Sequence, residues 1–343
     1  TSQLIQEIPT MKNHFTKTLF IVATLALTLA SQAWAQKKVI VGNFGDPAPY
    51  EAAAADGRFK KATGWDIEWR KFNSGAEVNA AMASGAIVIS ELGSVPLAAG
   101  ASQGVDYQLF LISKVIGASE SLIVRNGAGI DKPADLKGKK IAVPVGSTAH
   151  FSLMGALKMW NLSDKDVQVI GMSPPEINAA WSQNAVDAAF IWEPVQSKLR
   201  ANGKLMVTAG DVGKAGYPTF NGWVVNTKFA QENRAGLIGF IKVMNEIDED
   251  YTSNKSKWTA DSASVKSIAA RLSTTPAEIV ADLDGAKYLN GTEQVSGDWL
   301  DGGAAKSMKS TADFLKSVGR INASADSYAK YVNAEFAKAA VAK

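Results

Sequence analysis

The sequence predicts an α/β fold of two lobes, each a mixed or parallel sheet flanked by helices, with a ligand cleft between them. Three observations lead there. Short β-rich runs alternate with helical stretches over most of the chain, the rhythm of parallel sheets covered by helices. The part of the 343-residue chain that follows the first 35 residues suits about two domains. From Phe229 onward the pattern turns mostly helical, so the βα units are followed by a helical tail. In such open sheets ligands sit beyond the carboxyl ends of the strands, where loops lead into helix N-termini.

The first segment reads as a leader. Lys12 and Lys17 make a positive start, Leu19 to Leu29 is an apolar run interrupted by Thr24 and Thr28, and Ala33-Trp34-Ala35 is a small-x-small cleavage pattern. The run is too short to cross a bilayer, so residues 1–35 are expected to be a secretory signal peptide cut near Ala35/Gln36. Residues 1–10 precede Met11 and read as an upstream extension. No later apolar run is long enough to span a membrane. The expected product is exported, unanchored and periplasmic.

The elements follow in order. Lys38–Phe44 is a strand, Ala-rich Tyr50–Thr63 a helix, and Asp66–Phe72 a strand with alternating Ile67, Trp69 and Lys71. Ala76–Ser84 is helical, Ile87–Ser90 a buried strand, and Pro96–Gln103 a helix. Tyr107–Ser113 and Ser121–Val124 are strands. Further strands are expected at Lys139–Pro144, Val167–Gly171, Val186–Ile191 and Trp223–Asn226. Helices are expected near Ala149–Trp160 and Pro175–Gln183. In the tail, Leu237, Phe240, Ile241, Met244 and Ile247 mark one apolar helical face.

Composition excludes several chemistries. The chain has no cysteine and two histidines, His14 and His150, of which only His150 follows the leader. Disulfides, thiolate metal sites, cysteine nucleophiles and cysteine-linked lipids are therefore out, and so is a three-histidine metal centre. No metal site or cofactor is expected. With 36 Lys+Arg against 33 Asp+Glu and no basic stripe, nothing points to nucleic acid.

Three loops carry candidate binding residues. In Glu91–Pro96, Gly93 frees the backbone, Ser94 is a suitable N-cap and Pro96 fits a first helical turn. The free N–H groups, Val95 included, suit an anion or simply cap their helix. In Pro144–His150, Gly146, Ser147, Thr148 and Ala149 form a second candidate anion nest. His150 falls in the first turn, where the helix dipole disfavours protonation; it is a neutral donor or a satisfied histidine. In Phe190–Pro194, Trp192 suits a cationic or apolar ligand group and Glu193 an ammonium, or the pair packs on the sheet and starts a helix. Enzyme signals are thin. Ser147 and His150 lie close together, but there is no Gly-x-Ser-x-Gly elbow, no orienting acid, no Walker loop and no dinucleotide fingerprint. Asp248, Glu249 and Asp250 read as surface charge.

Several runs resemble the taurine-binding periplasmic proteins of ABC importers. They are Trp69-Arg70-Lys71-Phe72-Asn73-Ser74-Gly75-Ala76, Leu92-Gly93-Ser94-Val95-Pro96-Leu97-Ala98, Asp135-Leu136-Lys137-Gly138-Lys139-Lys140-Ile141-Ala142-Val143-Pro144 and Ser147-Thr148-Ala149-His150. Ala179-Ala180-Trp181 and Tyr217-Pro218-Thr219 through Trp223-Val224-Val225 continue the likeness over nearly all of the mature chain. The Asp-Leu-x-Gly-Lys motif is shared with sulfonate, nitrate and thiamine-precursor binding relatives, so it does not identify the ligand.

The resemblance implies a type II periplasmic binding protein, with residues 37–124 and 226–343 in one lobe and 125–225 in the other. It would close on taurine or a similar small sulfonate as a monomer, and deliver it to a membrane permease and its ATPase. It implies no catalysis. The taurine-binding pattern has an acid at the position of Asn221 to pair with the ammonium. Here the residue is neutral, and Glu193 is expected to supply the charge while Asn221 adds a hydrogen bond. Asp46 and Glu91 are further acids near these loops. Two alternatives stay open: a ligand without the amine, and an exported Ser/His hydrolase. An enzyme of thiamine-precursor synthesis on the same fold belongs in the cytosol and fits the leader poorly.

Overall fold

Lys37–Asn43 forms strand β1, with Val39 and Val41 turned inward. The computed structural model describes residues 37–342, so the expected signal peptide lies outside the described residues. After β1 come helices α1 (Tyr50–Ala55) and α2 (Arg58–Thr63), then β2 (Trp65–Lys71). The single helix expected over Tyr50–Thr63 is thus two, divided by a turn at Asp56-Gly57. Helix α3 (Gly75–Ala83) follows, with the Ser74 hydroxyl accepting from Glu77 N at 3.2 Å. Strand β3 (Ile89–Gly93) runs into α4 (Ser94–Ser102), and β4 (Gln108–Ile116) precedes β5 (Glu120–Arg125).

Next are β6 (Lys140–Val143), α5 (Thr148–Met159), β7 (Gln168–Gly171) and α6 (Pro174–Ser182). They are followed by β8 (Ala188–Trp192), α7 (Val195–Arg200), β9 (Gly203–Thr208), α8 (Ala209–Lys214) and β10 (Phe220–Val225). The tail holds α9 (Thr227–Glu232), α10 (Arg234–Ser253), α11 (Ala263–Leu272) and α12 (Pro276–Leu283). It ends with β11 (Ala286–Lys287), α13 (Gly291–Gln294), α14 (Gly303–Ser317) and α15 (Glu335–Val341). Among the described residues no helix is long and apolar enough to cross a membrane.

Two mixed sheets result. The first has the order β11-β4-β10-β3-β1-β2 and the second β7-β6-β8-β5-β9. Strands β1 and β3 pair in parallel, as do β6, β7 and β8. Strand β10 lies antiparallel between β3 and β4, and β5 antiparallel between β8 and β9. This pairing moves the crossings expected after residues 124 and 225. Strand β5 belongs to the second sheet and β10 to the first, so the chain changes sheets at residues 117–119 and again at 215–219. The two crossings run side by side, with Ile116 N donating to Thr219 O at 3.0 Å. Pairing partners decide this, and they are distant in sequence.

Both sheets are covered on two faces, as parallel strands require. In the second, Leu122, Ile141 and Phe190 pack on Leu153 and Leu157 of α5, while Ile123, Ala142 and Ile191 pack on Ile177 and Trp181 of α6. In the first, the expected apolar face of α10 is buried throughout, from Leu237 to Ile247. Phe240 has ring centroids of Phe59 at 4.8 Å and Trp223 at 5.3 Å. The reading of residues 248–250 as surface charge needs one correction. Asp248 is buried, because it falls one helical turn beyond Met244 on the inward face, while Glu249 and Asp250 are exposed.

Candidate functional site

The strands of both sheets end at one cavity. Its wall includes Phe44, Asp46 and Pro47 after β1, Gly93 at the end of β3 with Pro96 beyond it, Ser147 and Thr148 after β6, and Trp192 at the end of β8 with Glu193 beyond it. These are the carboxyl ends of four parallel strands, where a doubly wound sheet leaves an opening. Gly75, Lys114, Ile116, Ser119, Glu120, Asn221 and Asp282 complete the lining. About 560 Å³ of open space lies within this wall, the mouth open to solvent included. Residues from both sheets face each other across it, and Phe44 meets Trp192 edge to face with centroids 6.5 Å apart.

Two helix starts border the cavity. Gly93 is the N-cap of α4, so Ser94 is the first helical residue rather than the cap; its hydroxyl accepts from Phe220 N at 3.4 Å. Gly93 has ordinary extended angles, φ −67° and ψ 149°. A side chain there would be crowded: a Cβ would lie 3.0 Å from Thr148 Cγ2 and 3.4 Å from Asn221 Oδ1. Ser147 caps α5, accepting from His150 N at 3.2 Å, and Gly146 before it takes a left-handed φ of +80°. The first-turn amides of both helices lack intrahelical acceptors and carry the positive end of the dipole.

The remaining wall is acidic. Asp46, Glu120, Glu193 and Asp282 face the cavity, with Lys114 the cation among the described residues that line it. Lys114 is buried and ion-paired with Asp46 Oδ2. Burial works against its charge, but Asp46 and Glu91 outweigh burial and hold it protonated above the ordinary lysine range. Thr148 Oγ1 donates to Glu120 Oε1 at 2.6 Å. Burial pushes Glu120 up to about 7. Glu91 lies just behind the wall, accepting from Ser113 Oγ at 2.7 Å and Asn221 Nδ2 at 3.2 Å. Burial and Asp46 push it up to about 7. Asp46 Oδ1, Glu120 Oε2 and Asp282 Oδ2 are buried without a hydrogen-bond partner in the protein. A cavity edged by helix N-termini and walled by unsatisfied carboxylate oxygens suits a small ligand with an anionic and a cationic end.

Of the residues singled out from the sequence, Gly93, Ser147, Thr148, Trp192, Glu193 and Asn221 line this cavity; Ser94, Val95, Gly146, Ala149 and His150 do not. Val95 and His150 instead line a separate hollow with Phe151, Phe314 and Arg320. Burial and the Arg320 charge push His150 down to about 4, so it is neutral. Its Nδ1 accepts from Gly146 N at 3.2 Å, and the Ser147 hydroxyl donates to Pro144 O at 2.6 Å. The serine proton is therefore committed to a carbonyl, and the two side chains form no nucleophile–base pair. Sequence reasoning missed Lys114, Glu120 and Asp282; a lysine inside an apolar strand was the one available signal.

The family model described as NMT1/THI5 like matches residues 46–248. The chain belongs to the NMT1/THI5-like family. The chain is 38% identical over 317 residues to the taurine-binding periplasmic protein of Escherichia coli K12, covering 92% of this chain and 97% of that one. Among solved structures it is similar to the alkanesulfonate-binding protein SsuA from Xanthomonas axonopodis pv. citri bound to MOPS. The TM-score is 0.68 at 21% identity, over 83% of this chain and 94% of that one. It also shares its fold with the desulfurization enzyme DszB, at TM-score 0.59 and 15% identity over 89% and 99% of the two chains. The fold is that of the type II periplasmic binding proteins, and this NMT1/THI5-like fold serves binding proteins and an enzyme alike.

Proposed function

We propose that the chain is a periplasmic binding protein that captures taurine or a similar small sulfonate and delivers it to an ABC import permease with its ATPase. The observation that carries this is the two-ended cavity. The sulfonate sits where Gly93 and Thr148 bring the starts of α4 and α5 together, because a strong-acid anion needs N–H and hydroxyl donors rather than a proton acceptor. The ammonium faces the acidic wall beside Trp192, with Glu193 supplying charge and Asn221 a hydrogen bond. The leader pattern of residues 1–35, with its cleavage motif near Ala35/Gln36, supports a periplasmic location, where the protein acts as a monomer without turnover. The hydroxyl of Ser147, donated to Pro144 O, and the Nδ1 of His150, engaged by Gly146 N, support binding over hydrolysis.

Asn221 favours one further reading. It is neutral where the resemblance leads one to expect an acid, which suits an alkanesulfonate lacking the amine. Calorimetric titration with taurine, ethanesulfonate, sulfate and β-alanine separates the readings. Taurine is expected to bind most tightly. Tighter binding of ethanesulfonate selects the second reading, and a preference for sulfate or β-alanine overturns both.

A further inference from the structure

Asp282 reaches the cavity from an unexpected direction. It lies near the end of α12, in the helical tail that belongs with the first sheet, and faces the loop after β8 of the second. It is 6% exposed. Its Oδ1 accepts from Ser197 Oγ at 3.3 Å, a hydrogen bond between the two halves of the molecule. Its Oδ2 has no partner. Opposite stands Glu193, whose own oxygens are already held by Gln196 Nε2 at 2.5 Å and Ser197 N at 2.8 Å. The charged groups bearing on Asp282 are Glu193 across the gap and Glu278 on its own helix, both acidic. Two carboxylates facing each other in a buried wall repel unless a proton or a cation lies between them.

We propose that Asp282 is the specificity-determining residue for the cationic end of the ligand: an ammonium carried by a small sulfonate bridges Asp282 and Glu193, joining the two halves. This rests on the reading of the cavity as a sulfonate site. Glu193 supplies charge from a fixed position, and Asp282 supplies the free acceptor oxygen. Without ligand, burial and the Glu193 carboxylate push Asp282 up to about 8. The unliganded pair therefore holds a proton at pH 7, which the ammonium displaces.

Titration calorimetry on wild type and Asp282→Asn tests this, using taurine and ethanesulfonate in two buffers of different ionisation enthalpy. Asp282→Asn is expected to weaken taurine binding about tenfold or more, the effect of losing one charge-assisted hydrogen bond, and to leave ethanesulfonate nearly unchanged. Wild type is expected to release a proton on binding taurine at pH 7, a release that ethanesulfonate does not cause and the variant does not show. If both ligands bind wild type but the variant keeps the wild-type preference, or still releases the proton, the inference fails and the sulfonate reading stands. If wild type binds neither ligand, the sulfonate reading fails and takes the inference with it. The proton measurement on wild type decides the matter even if the variant folds poorly.

Discussion

Gly93 and Lys114 are two residues whose importance comes from what stands next to them. A methyl group at Gly93 would press on Thr148 across the cavity, so Gly93→Ala is expected to hold the two halves apart. Taurine affinity should fall about tenfold while the melting temperature of the unliganded protein barely moves; unchanged affinity by calorimetry contradicts this. Lys114 neutralises the buried Asp46. Lys114→Met strands that carboxylate and is expected to cost about 3–5 kcal/mol in urea unfolding. The site was legible where its residues follow strand-to-helix junctions, as Gly93, Thr148, Trp192 and Glu193 do. It was illegible where buried charges come from distant segments. Glu120 and Asp282 look like ordinary surface acids until the fold brings Thr148 and Glu193 against them. His150 drew attention as the one histidine after the expected leader, but it lines a hollow with Phe314 of α14 and Arg320 rather than the cavity.

Among the elements, α10 illustrates what periodicity can and cannot say. Its apolar face was readable from spacing alone, and Phe240 on it meets Phe59, Trp69, Phe110 and Trp223. Phe240→Ala should therefore cost about 3–5 kcal/mol, measured by denaturant unfolding, and lower the melting temperature before it touches ligand affinity. Strand β9 escaped notice because it is an edge strand whose burial does not alternate, Lys204 and Leu205 both being exposed and Met206 and Val207 both turned to the core. The sheet crossings were misplaced for a deeper reason. Strands β4 and β5 are nearly consecutive, which suggests a hairpin, yet each pairs with strands far along the chain.

At the scale of the whole molecule, several buried acids titrate together. Burial holds Glu91 and Glu120 up at about 7, and burial with Glu193 holds Asp282 up at about 8. Each binds its proton more tightly folded than unfolded, so its stabilising contribution is complete at low pH and is lost as pH rises through 7 and 8. His150, pushed down to about 4, acts in the opposite sense, removing stability as pH falls below about 6.5. Between about pH 6.5 and 8.5 these acids dominate, and the melting temperature of the unliganded protein is expected to fall. A flat or rising profile in scanning calorimetry contradicts that. The paired crossings have a consequence of another kind. Because Ile116 and Thr219 are hydrogen-bonded neighbours, everything between them is one uninterrupted insert with its ends held together. Such an insert can be exchanged between relatives as a cassette. It would carry Glu120, Thr148, Trp192 and Glu193 with it and leave Gly93, Asp46, Asn221 and Asp282 behind, so a chimaera would part Thr148 from its Gly93 and Glu193 from its Asp282, recombining both ends of the cavity at once.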